Sequence, residues 1–370
     1  MKKKNKPSAL YIHIPFCQKI CDYCDFPKLQ YFRNLAVPYL KALNQEIAQR
    51  VEHLNLKTIY IGGGTPTALE DDLFEELLRN VQKYTKGVEE FTVECNPESL
   101  SDSKLALMKK YGVNRLSIGV QTTDDKILSL INRHHTWSDV KRAILSAKRF
   151  GFDNLNVDLI IGLPHANKER FMMDLDNILS LDVQHISCYS LTVHPHTVFH
   201  IKGIQEPLED YSRELYEIAE KKLKENGFIH YEISNWAKPN RFSKHNLTYW
   251  KDQQYYGVGF GSAGYIDDVR YTNTRNFEKY CQNEYLGEQE IVSKEDDITY
   301  YIMLNLRTIF GINLKDYQEI FNEDFYESHK EVIEKYLEKN LLIYDRENAN
   351  IYPSFDGMMI LDQIIIDLLK

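Results

Sequence analysis

The stretch that decides the fold of this chain reads Tyr11-Ile-His-Ile-Pro-Phe-Cys17-Gln-Lys-Ile-Cys21-Asp-Tyr-Cys24. Cysteines at C-x3-C-x2-C spacing can hold three irons of a [4Fe–4S] cube, because thiolate sulfur is the ligand that iron–sulfur clusters prefer. A fully ligated cube needs four cysteines, so this set leaves one iron open for chemistry. The spacing therefore predicts Cys17, Cys21 and Cys24 as the ligands of a cluster with an open iron.

Two other interpretations of the cysteines stay open at this point. Structural zinc needs four ligands, usually as two spaced pairs, and only His13, Asp22 or Asp25 lies close enough in sequence to complete a set. Cysteines at positions i, i+4 and i+7 also match one face of a helix, which would make them inert core residues. Pro15 and the interleaved aromatic residues weaken the helical alternative, so the cluster is favoured.

The composition describes a globular protein. The chain has 370 residues, 43% hydrophobic and 27% charged, which is enough for one large domain and a small one. A net charge of −9 and a pI near 5.8 argue against a dedicated nucleic-acid partner. Lys2-Lys3-Lys4 is interpreted as a solvated tail. No secretory signal follows it, so we expect a cytoplasmic location.

The cysteine content and the apolar stretches also fit a globular cytoplasmic protein. Six cysteines in such a chain favour metal or catalytic roles over disulfides. Cys95, Cys188 and Cys281 are scattered and are interpreted as core or incidental residues. The longest apolar stretch, Met358–Leu369, contains two aspartates and is too short for a transmembrane segment.

Strand-like runs alternate with amphipathic helical runs through the first two thirds of the chain. The predicted strands are Ala9–Ile14, Thr58–Ile61, Phe91–Cys95, Arg115–Gly119, Leu155–Ile160 and His185–Tyr189. Repeated βα units predict a parallel sheet, and this number of units predicts an α/β fold with an open or partial barrel. Ligands bind at the carboxyl ends of such strands, where the cysteines follow the first strand and Gly62-Gly63-Gly64 follows the second.

The sequence pattern divides the chain into three parts. We predict a barrel over residues 1–236, a connecting segment over 237–290 and a small helix-rich, winged-helix-like domain over 291–370. Helices are expected around Ile298–Ile309 and Lys330–Leu341, followed by short strands. No basic recognition helix stands out, so the small domain is interpreted as a lid or interaction domain rather than a DNA reader.

The turn Gly62-Gly63-Gly64-Thr65-Pro66-Thr67 lies between a predicted strand and a helix. Glycines let a ligand approach the backbone, and the exposed backbone groups there can bind polar heads. A plain βα turn is the alternative, since the turn lacks the lysine of a phosphate-binding loop. Because the turn would lie beside a cluster with an open iron, we expect it to bind the amino and carboxylate groups of a ligand of that iron.

Taken together, Tyr11-x-His-Ile-Pro-Phe, the cysteine set and the glycine turn resemble the radical S-adenosylmethionine superfamily. More narrowly, the chain is similar to the oxygen-independent coproporphyrinogen III oxidases and their relatives, the haem chaperones, over essentially its whole length. The resemblance implies an open (β/α)6 barrel with a [4Fe–4S] cluster. It also implies that the methionine part of S-adenosylmethionine chelates the open iron, and that the reduced cluster cleaves it to a 5′-deoxyadenosyl radical.

The resemblance assigns roles to individual residues. The cluster ligands would be the three cysteines, and His245 would be a haem ligand. Residues implied to contact the cofactor on the cluster are Tyr11, Gly63, Gly64, Thr65 and Glu94. Positions that help to bind a second S-adenosylmethionine in the oxidases are occupied here by Gln121, Arg133 and Asp158.

Three departures from the oxidases favour the haem-chaperone branch. Oxidases carry a further cysteine two positions beyond the third ligand, where this chain has Phe26. They also have a longer N-terminal extension, whereas 16 residues precede Cys17 here. Finally, His245-Asn-Leu-Thr-Tyr-Trp250 fits the H-N-x-x-Y-W motif of the chaperones. Imidazole is a standard haem ligand, although a buried, hydrogen-bonded histidine is the plain alternative.

We therefore predict a haem chaperone that transfers haem to an acceptor haemoprotein. The second hypothesis is an enzyme that oxidises coproporphyrinogen III. The third is a radical enzyme with an unrelated substrate. A homodimer and peripheral membrane contact are compatible with the sequence, which demands neither. Tyr256–Gly264 is interpreted as a strand or turn lining the pocket. His194-Pro195-His196 with His200 is interpreted as a polar loop, because no carboxylates or cysteines are spaced to complete a metal site.

Overall fold

The structure is a computed structural model that describes residues 6–370, so the predicted solvated tail at Lys2–Lys4 lies outside the described residues. The strands in chain order are β1 Ala9–Ile14, β2 Phe16–Cys17, β3 Leu29–Gln30, β4 Thr58–Gly63, β5 Glu90–Cys95, β6 Arg115–Gln121, β7 Leu155–Ile161, β8 His185–Ser190, β9 Ile229–Glu232, β10 Asn235–Ala237, β11 Tyr255–Val258, β12 Ala263–Ile266, β13 Val269–Asn273, β14 Leu286–Ile291, β15 Ile312–Asn313, β16 Leu342–Asp345 and β17 Asn350–Pro353.

The helices connect these strands and build the C-terminal domain. In chain order they are α1 Arg33–Arg50, α2 Asp71–Val81, α3 Asp102–Lys110, α4 Asp125–Leu130, α5 Trp137–Arg149, α6 Lys168–Leu179, α7 Val198–Ile201, α8 Glu209–Glu225, α9 Lys244–Trp250, α10 Phe277–Cys281, α11 Lys294–Asn305, α12 Leu314–Phe321, α13 Phe325–Ser328, α14 Lys330–Glu338, α15 Phe355–Met359 and α16 Leu361–Leu368.

A single 12-stranded sheet forms the centre of the molecule, in the order β14-β13-β12-β11-β1-β4-β5-β6-β7-β8-β10-β9. Strands β1, β4, β5, β6, β7 and β8 pair in parallel, each joined to the next by at least one helix. The predicted α/β architecture of an open (β/α)6 barrel is therefore confirmed. All six predicted strands are present, extended by one or two residues at most.

Alternation along β6 explains why this barrel has a polar interior. Leu116, Ile118 and Val120 belong to the main hydrophobic core, whereas Ser117, Gly119 and Gln121 line a cleft inside the barrel. Successive side chains of a strand point to opposite faces, so one face packs on helices and the other faces the lumen. The lumen is therefore the place where this sequence can hold polar chemistry.

Residues 237–290 carry more structure than the predicted connecting segment. Strand β11 pairs in parallel with β1, and β12, β13 and β14 follow as an antiparallel meander. The glycine-rich stretch predicted to line the pocket does contain β11, but it lies on the opposite side of β1 from β4 and is absent from the cysteine cleft. Gly257 explains part of its composition, because a Cβ there would lie 1.7 Å from the carbonyl oxygen of Ala263.

The C-terminal domain has a hydrophobic core of its own, running from Tyr301 to Leu368. Its antiparallel sheet has the order β15-β17-β16, with helices before and between the strands, which is the winged-helix-like arrangement predicted. The domain covers the outer edge of the large sheet, where Ile233 N donates to Arg307 O and Ile309 N donates to Tyr231 O. That contact protects an edge strand from pairing with other chains. Among residues 6–370, no helix is both long and apolar enough to cross a membrane.

Candidate functional site

The carboxyl ends of the parallel strands open into a cleft of about 370 Å³. Its lining brings together most of the residues predicted to hold a cofactor, although they come from six separate loops and strands. They are Cys17, Cys21, Cys24, Gly63, Gly64, Thr65, Glu94, Gln121, Arg133 and Asp158. Two predicted site residues, Tyr11 and His245, are not part of this lining.

The three cysteines of the loop after β1 are free thiols that face this cleft together. The pKa of Cys17 is raised to about 12, chiefly by burial and to a smaller extent by the nearby Cys24 and Cys21, while the Thr65 hydroxyl opposes the rise. Burial also raises the pKa of Cys24. A metal that coordinates a thiol deprotonates it outright. These thiols would therefore become thiolates when a metal binds, although they are neutral without it. The donor set fits a [4Fe–4S] cluster with one open iron.

Each of the three candidate fourth ligands for zinc, His13, Asp22 and Asp25, has another partner among residues 6–370, and that of Asp25 is His194. Both ring nitrogens of His13 are engaged, by the Tyr11 hydroxyl at 2.9 Å and by Pro27 O at 2.7 Å. Asp22 forms an ion pair with Lys202. In the part of the chain that the structure describes, no group of three or more His, Cys, Asp or Glu side chains could hold a metal ion. Thiolates that each bind a different iron of a cube are expected to lie further apart than the ligands of one ion.

Contacts with two other loops fix the cysteine loop in place. Lys202 Nζ lies 2.6 Å from Asp22 Oδ2, and Phe199 N donates to Asp22 O over 3.0 Å. Asn132 Nδ2 donates to Ile20 O over 2.8 Å. A small apolar cluster beneath the loop includes Phe199 and Ile131, with Tyr23 packed against it. The loop is therefore part of the barrel rim rather than a free segment.

A relay of hydrogen bonds connects the far wall of the cleft to the first cysteine. Arg133 donates from one guanidinium nitrogen to Asn96 Oδ1 at 2.9 Å and from the other to Gly119 O at 2.9 Å. Asn96 Nδ2 donates to Thr65 Oγ1 over 3.1 Å, and Thr65 Oγ1 lies 3.8 Å from Cys17 Sγ. Sequence reasoning missed Asn96, although it directly follows the strand that ends at Cys95.

Glu94 holds the glycine turn at the end of β4. One carboxylate oxygen accepts from the Tyr60 hydroxyl at 2.7 Å, and the other accepts from Gly63 N at 2.9 Å. Burial raises the pKa of Glu94 to about 7. Gly63 has φ +111°, and a Cβ there would lie 2.5 Å from the His13 ring, so only glycine fits. The turn and the carboxylate together can receive an ammonium and a carboxylate of a ligand.

Asp158 and Gln121 complete the opposite wall. Asp158 accepts from Asn156 Nδ2 at 2.8 Å and from Ser117 Oγ at 3.3 Å, and burial raises its pKa. Gln121 has φ +69° at a register shift between β6 and β7. A glutamine in the left-handed region is uncommon, and such strain concentrates at functional sites.

Tyr11 and His245 lie elsewhere. The Tyr11 hydroxyl contacts His13, so in this structure Tyr11 supports the cysteine loop from behind. His245 is fully buried at the amino end of β4, with Nδ1 2.8 Å from Thr58 Oγ1 and Nε2 2.7 Å from the Tyr249 hydroxyl. Burial lowers the pKa of His245 to about 3. Neither ring nitrogen is presented to a cavity, so haem ligation by His245 would require α9 to move.

Below the cleft, the amino end of β6 carries a buried cation. Arg115, at the start of β6, is almost fully buried, and within residues 6–370 its guanidinium forms no ion pair of 4.0 Å or less. Its Nε and the hydroxyl of the paired Thr92 both lack a hydrogen-bond partner. The charge of Arg115 lowers the pKa values of Glu94 and Asp158, opposing the larger effect of burial. The arginine therefore serves as counter-charge to the carboxylates above it.

Comparison with known proteins shows the family of this chain. Residues 11–178 match the family model of the radical SAM superfamily, and residues 292–351 match that of the HemN C-terminal domain. The chain is 37% identical to the heme chaperone HemW of Lactococcus lactis, over 94% of this chain and 93% of that one. It is 38% identical to the heme chaperone HemW of Bacillus subtilis, over 96% of this chain and 97% of that one.

A solved structure shares the fold. The coproporphyrinogen III oxidase HemN from Escherichia coli, described as a radical SAM enzyme, superposes with a TM-score of 0.84 over 98% of this chain and 90% of the other, at 22% identity. At that identity the likeness concerns the fold, whereas the near-full-length likeness to the curated relatives concerns the family. The chain belongs to the HemW family within the radical SAM superfamily.

Proposed function

We propose that this chain binds haem and transfers it to an acceptor haemoprotein, using a radical-SAM barrel to hold the cluster and cofactor that control the transfer. The observation that carries the proposal is the near-full-length similarity to heme chaperones at 37% and 38% identity. The position of Phe26 supports it, because an exposed phenylalanine lies on the rim where the oxidases have a further cysteine.

Cys17, Cys21 and Cys24 would hold the [4Fe–4S] cluster, which when bound supplies an electron to S-adenosylmethionine on its open iron. Gly63, Gly64, Thr65 and Glu94 would hold the methionine part of that cofactor. Glu94 fits the role because it already fixes the turn through Gly63 N and is able to ionise near neutral pH. Gln121, Arg133 and Asp158 would contact the remainder of the cofactor or a second molecule of it.

The role of His245 as a haem ligand stays a prediction. Its ring is held by Thr58 and Tyr249, so ligation requires α9 to leave the amino end of β4. A cytoplasmic location and a homodimer likewise stay predictions.

The oxidase remains the second candidate function. It is favoured by the presence of Gln121, Arg133 and Asp158 in one cleft with the cysteines. In that reaction the bound cofactor would supply the radical chemistry for oxidising propionate side chains of coproporphyrinogen III, and these cleft residues would hold the cofactor.

A transfer assay separates the two functions. The cluster-reconstituted protein is loaded anaerobically with haem and mixed with an apo-haemoprotein, and the acceptor's visible spectrum is followed. Transfer that depends on the loaded protein, with no protoporphyrinogen formed from coproporphyrinogen III in a parallel assay, supports the chaperone. Protoporphyrinogen formation with S-adenosylmethionine consumption and no haem transfer would establish the oxidase instead.

A further inference from the structure

We propose that haem binds at the mouth of the cysteine cleft, with the imidazole of His194 as its axial iron ligand. The inference rests on the proposed haem-chaperone function and names the residues that would hold the cargo. His194 lies in the loop between β8 and α7, at the carboxyl end of the barrel, and its side chain is part of the cleft lining.

An axial ligand needs a ring nitrogen that can reach the iron. The side chain of His194 is 46% exposed, and among the described residues its ring forms no hydrogen bond. Among residues 6–370 the ring makes one ion-pair contact, with Nε2 3.4 Å from Asp25 Oδ2. By contrast, His245 is fully buried with both nitrogens engaged. His194 is therefore the histidine of the cleft that offers a free lone pair without rearrangement.

Asp25 Oδ2 lies 3.4 Å from Nε2 of this histidine without a hydrogen bond, and it would accept the ring N–H if the pair closed on iron binding. Histidines that bind metals almost always donate their other ring N–H to a carboxylate, a carbonyl or water, which fixes the ring and raises its basicity. Asp25 lies next to Cys24 in sequence, so the carboxylate reaches His194 from the cysteine loop. The pair also places the iron ligand beside the proposed cluster, where the state of the cluster can influence the haem.

The mouth of the cleft has the remaining chemistry that haem requires. Haem is a flat apolar ring that bears two propionates, so its site needs apolar walls and cations at one edge. Phe26 is 61% exposed on the rim, and Tyr189 and Leu191 contribute further apolar surface to the lining. Covering an exposed aromatic side chain with a flat ring removes apolar surface from water and is favourable.

Two lysines supply the cations. Lys19 and Lys28 both line the cleft, although the chain as a whole carries a net charge of −9. Lys28 Nζ donates to the backbone oxygens of Cys24 and Phe26, which fixes its charge beside the cysteine loop. Lys19 is exposed and forms no ion pair in the described part of the chain. A porphyrin dianion fits this edge, whereas a neutral apolar ligand would leave the charges unused.

The residues assigned to the cofactor and those assigned to haem lie in different parts of the cleft. Gly63, Thr65 and Glu94 form the deep wall at the ends of β4 and β5, whereas Phe26 and His194 are exposed residues of two rim loops. The cleft volume of about 370 Å³ is near the lower end for small-molecule pockets, so a porphyrin would lie across the opening rather than inside.

An anaerobic haem titration of the cluster-loaded protein tests the assignment. Wild type is compared with His194→Ala, His245→Ala and the control His196→Ala, an exposed histidine of the same loop that does not line the cleft. We expect wild type and His196→Ala to bind about one haem per chain, and His194→Ala to lose about tenfold or more in affinity. Affinity in His194→Ala equal to wild type would overturn the inference.

The spectrum of a second variant keeps the test independent of folding. His194→Cys should bind haem with the visible spectrum of a thiolate-ligated iron, because the substituted side chain takes the axial position. A wild-type spectrum in this variant would overturn the assignment of His194 while leaving the chaperone function intact. Absence of stoichiometric haem binding in wild type itself would instead contradict the proposed function.

Discussion

At the amino ends of the barrel strands, His245 is fully buried and both of its ring nitrogens are hydrogen-bonded. At the carboxyl ends, His194 is half exposed, and its ion-pair contact within residues 6–370 is with Asp25. The first histidine has the features of a structural plug that closes the lumen between Thr58 and Tyr249. The second has the features of a ligand. The histidine of the family motif can therefore have a structural role in closing the barrel. The histidine that is free to bind a ligand lies in a loop that carries no motif.

The largest effect is expected at the carboxyl end of the barrel, for substitution of a cluster cysteine. We expect Cys17→Ser to abolish cluster assembly, because a hydroxyl is a poor iron ligand and the remaining thiols cannot complete the cube. Iron and acid-labile sulfide content after anaerobic reconstitution measure the loss. Cys281→Ser is the matched control, since Cys281 lies in α10 outside the cleft lining. Full iron content in Cys17→Ser would place the cluster elsewhere.

The plug can be tested by stability. His245→Ala leaves a cavity and removes the partner of Thr58 Oγ1 and the Tyr249 hydroxyl, so we expect a loss of about 2–4 kcal/mol in the free energy of unfolding. His194→Ala should change it by no more than about 0.5 kcal/mol, as is usual for exposed residues. Urea denaturation of the apoprotein measures both. Equal stability of the two variants would break the distinction between plug and ligand.

The pH dependence of stability tests whether His245 is buried as a neutral ring. Burial lowers the pKa of His245 from its ordinary 6.5 to about 3, so the unfolded chain binds a proton at a pH where the folded chain does not. The stability from neutral His245 is complete above pH 6.5 and is lost as pH falls toward 3, by about 2 kcal/mol at pH 5. His245→Gln should be less acid-sensitive than wild type by this amount in urea titrations. Parallel pH profiles would contradict the burial of a neutral ring.

Glu94 gives the smallest of these effects, at the opposite end. Its pKa of about 7 means that the carboxylate must ionise to bind a ligand ammonium. The affinity of the cluster-loaded protein for S-adenosylmethionine should therefore fall about tenfold between pH 8 and pH 6, as measured by equilibrium dialysis. Glu94→Gln should bind more weakly and show no such slope. A slope that persists in Glu94→Gln would assign the proton to another group.

The fold was largely predictable because local periodicity carries it. The strands from Ala9–Ile14 to His185–Ser190 are apolar runs separated by helical patterns, and parallel βα units have few possible arrangements. The pairing of β11 with β1 was not predictable, since it joins Tyr255 to Ala9 across most of the chain and leaves no local signature. For the same reason, the sequence predicts residues 237–290 as a connecting segment with one strand or turn at Tyr256–Gly264, and not as part of the sheet.

The site was predictable where the spacing of residues in the sequence alone identifies the ligand set, as it does for Cys17, Cys21 and Cys24. It was not predictable where tertiary structure supplies the partner. Asn96 became significant only as the bridge between Arg133 and Thr65. His194 was set aside in the sequence for want of a nearby carboxylate, yet the fold brings Asp25 to it from the cysteine loop.

The haem footprint on the cluster-loaded protein tests the central claim most directly. Hydrogen–deuterium exchange with mass spectrometry would be measured with and without one equivalent of haem. The account predicts slower exchange in residues 21–28 and 191–194, which carry the side chains at the mouth of the cleft, and unchanged exchange in α9, residues 244–250. Altered exchange in α9 with none at the mouth would contradict it, and would return the haem to His245.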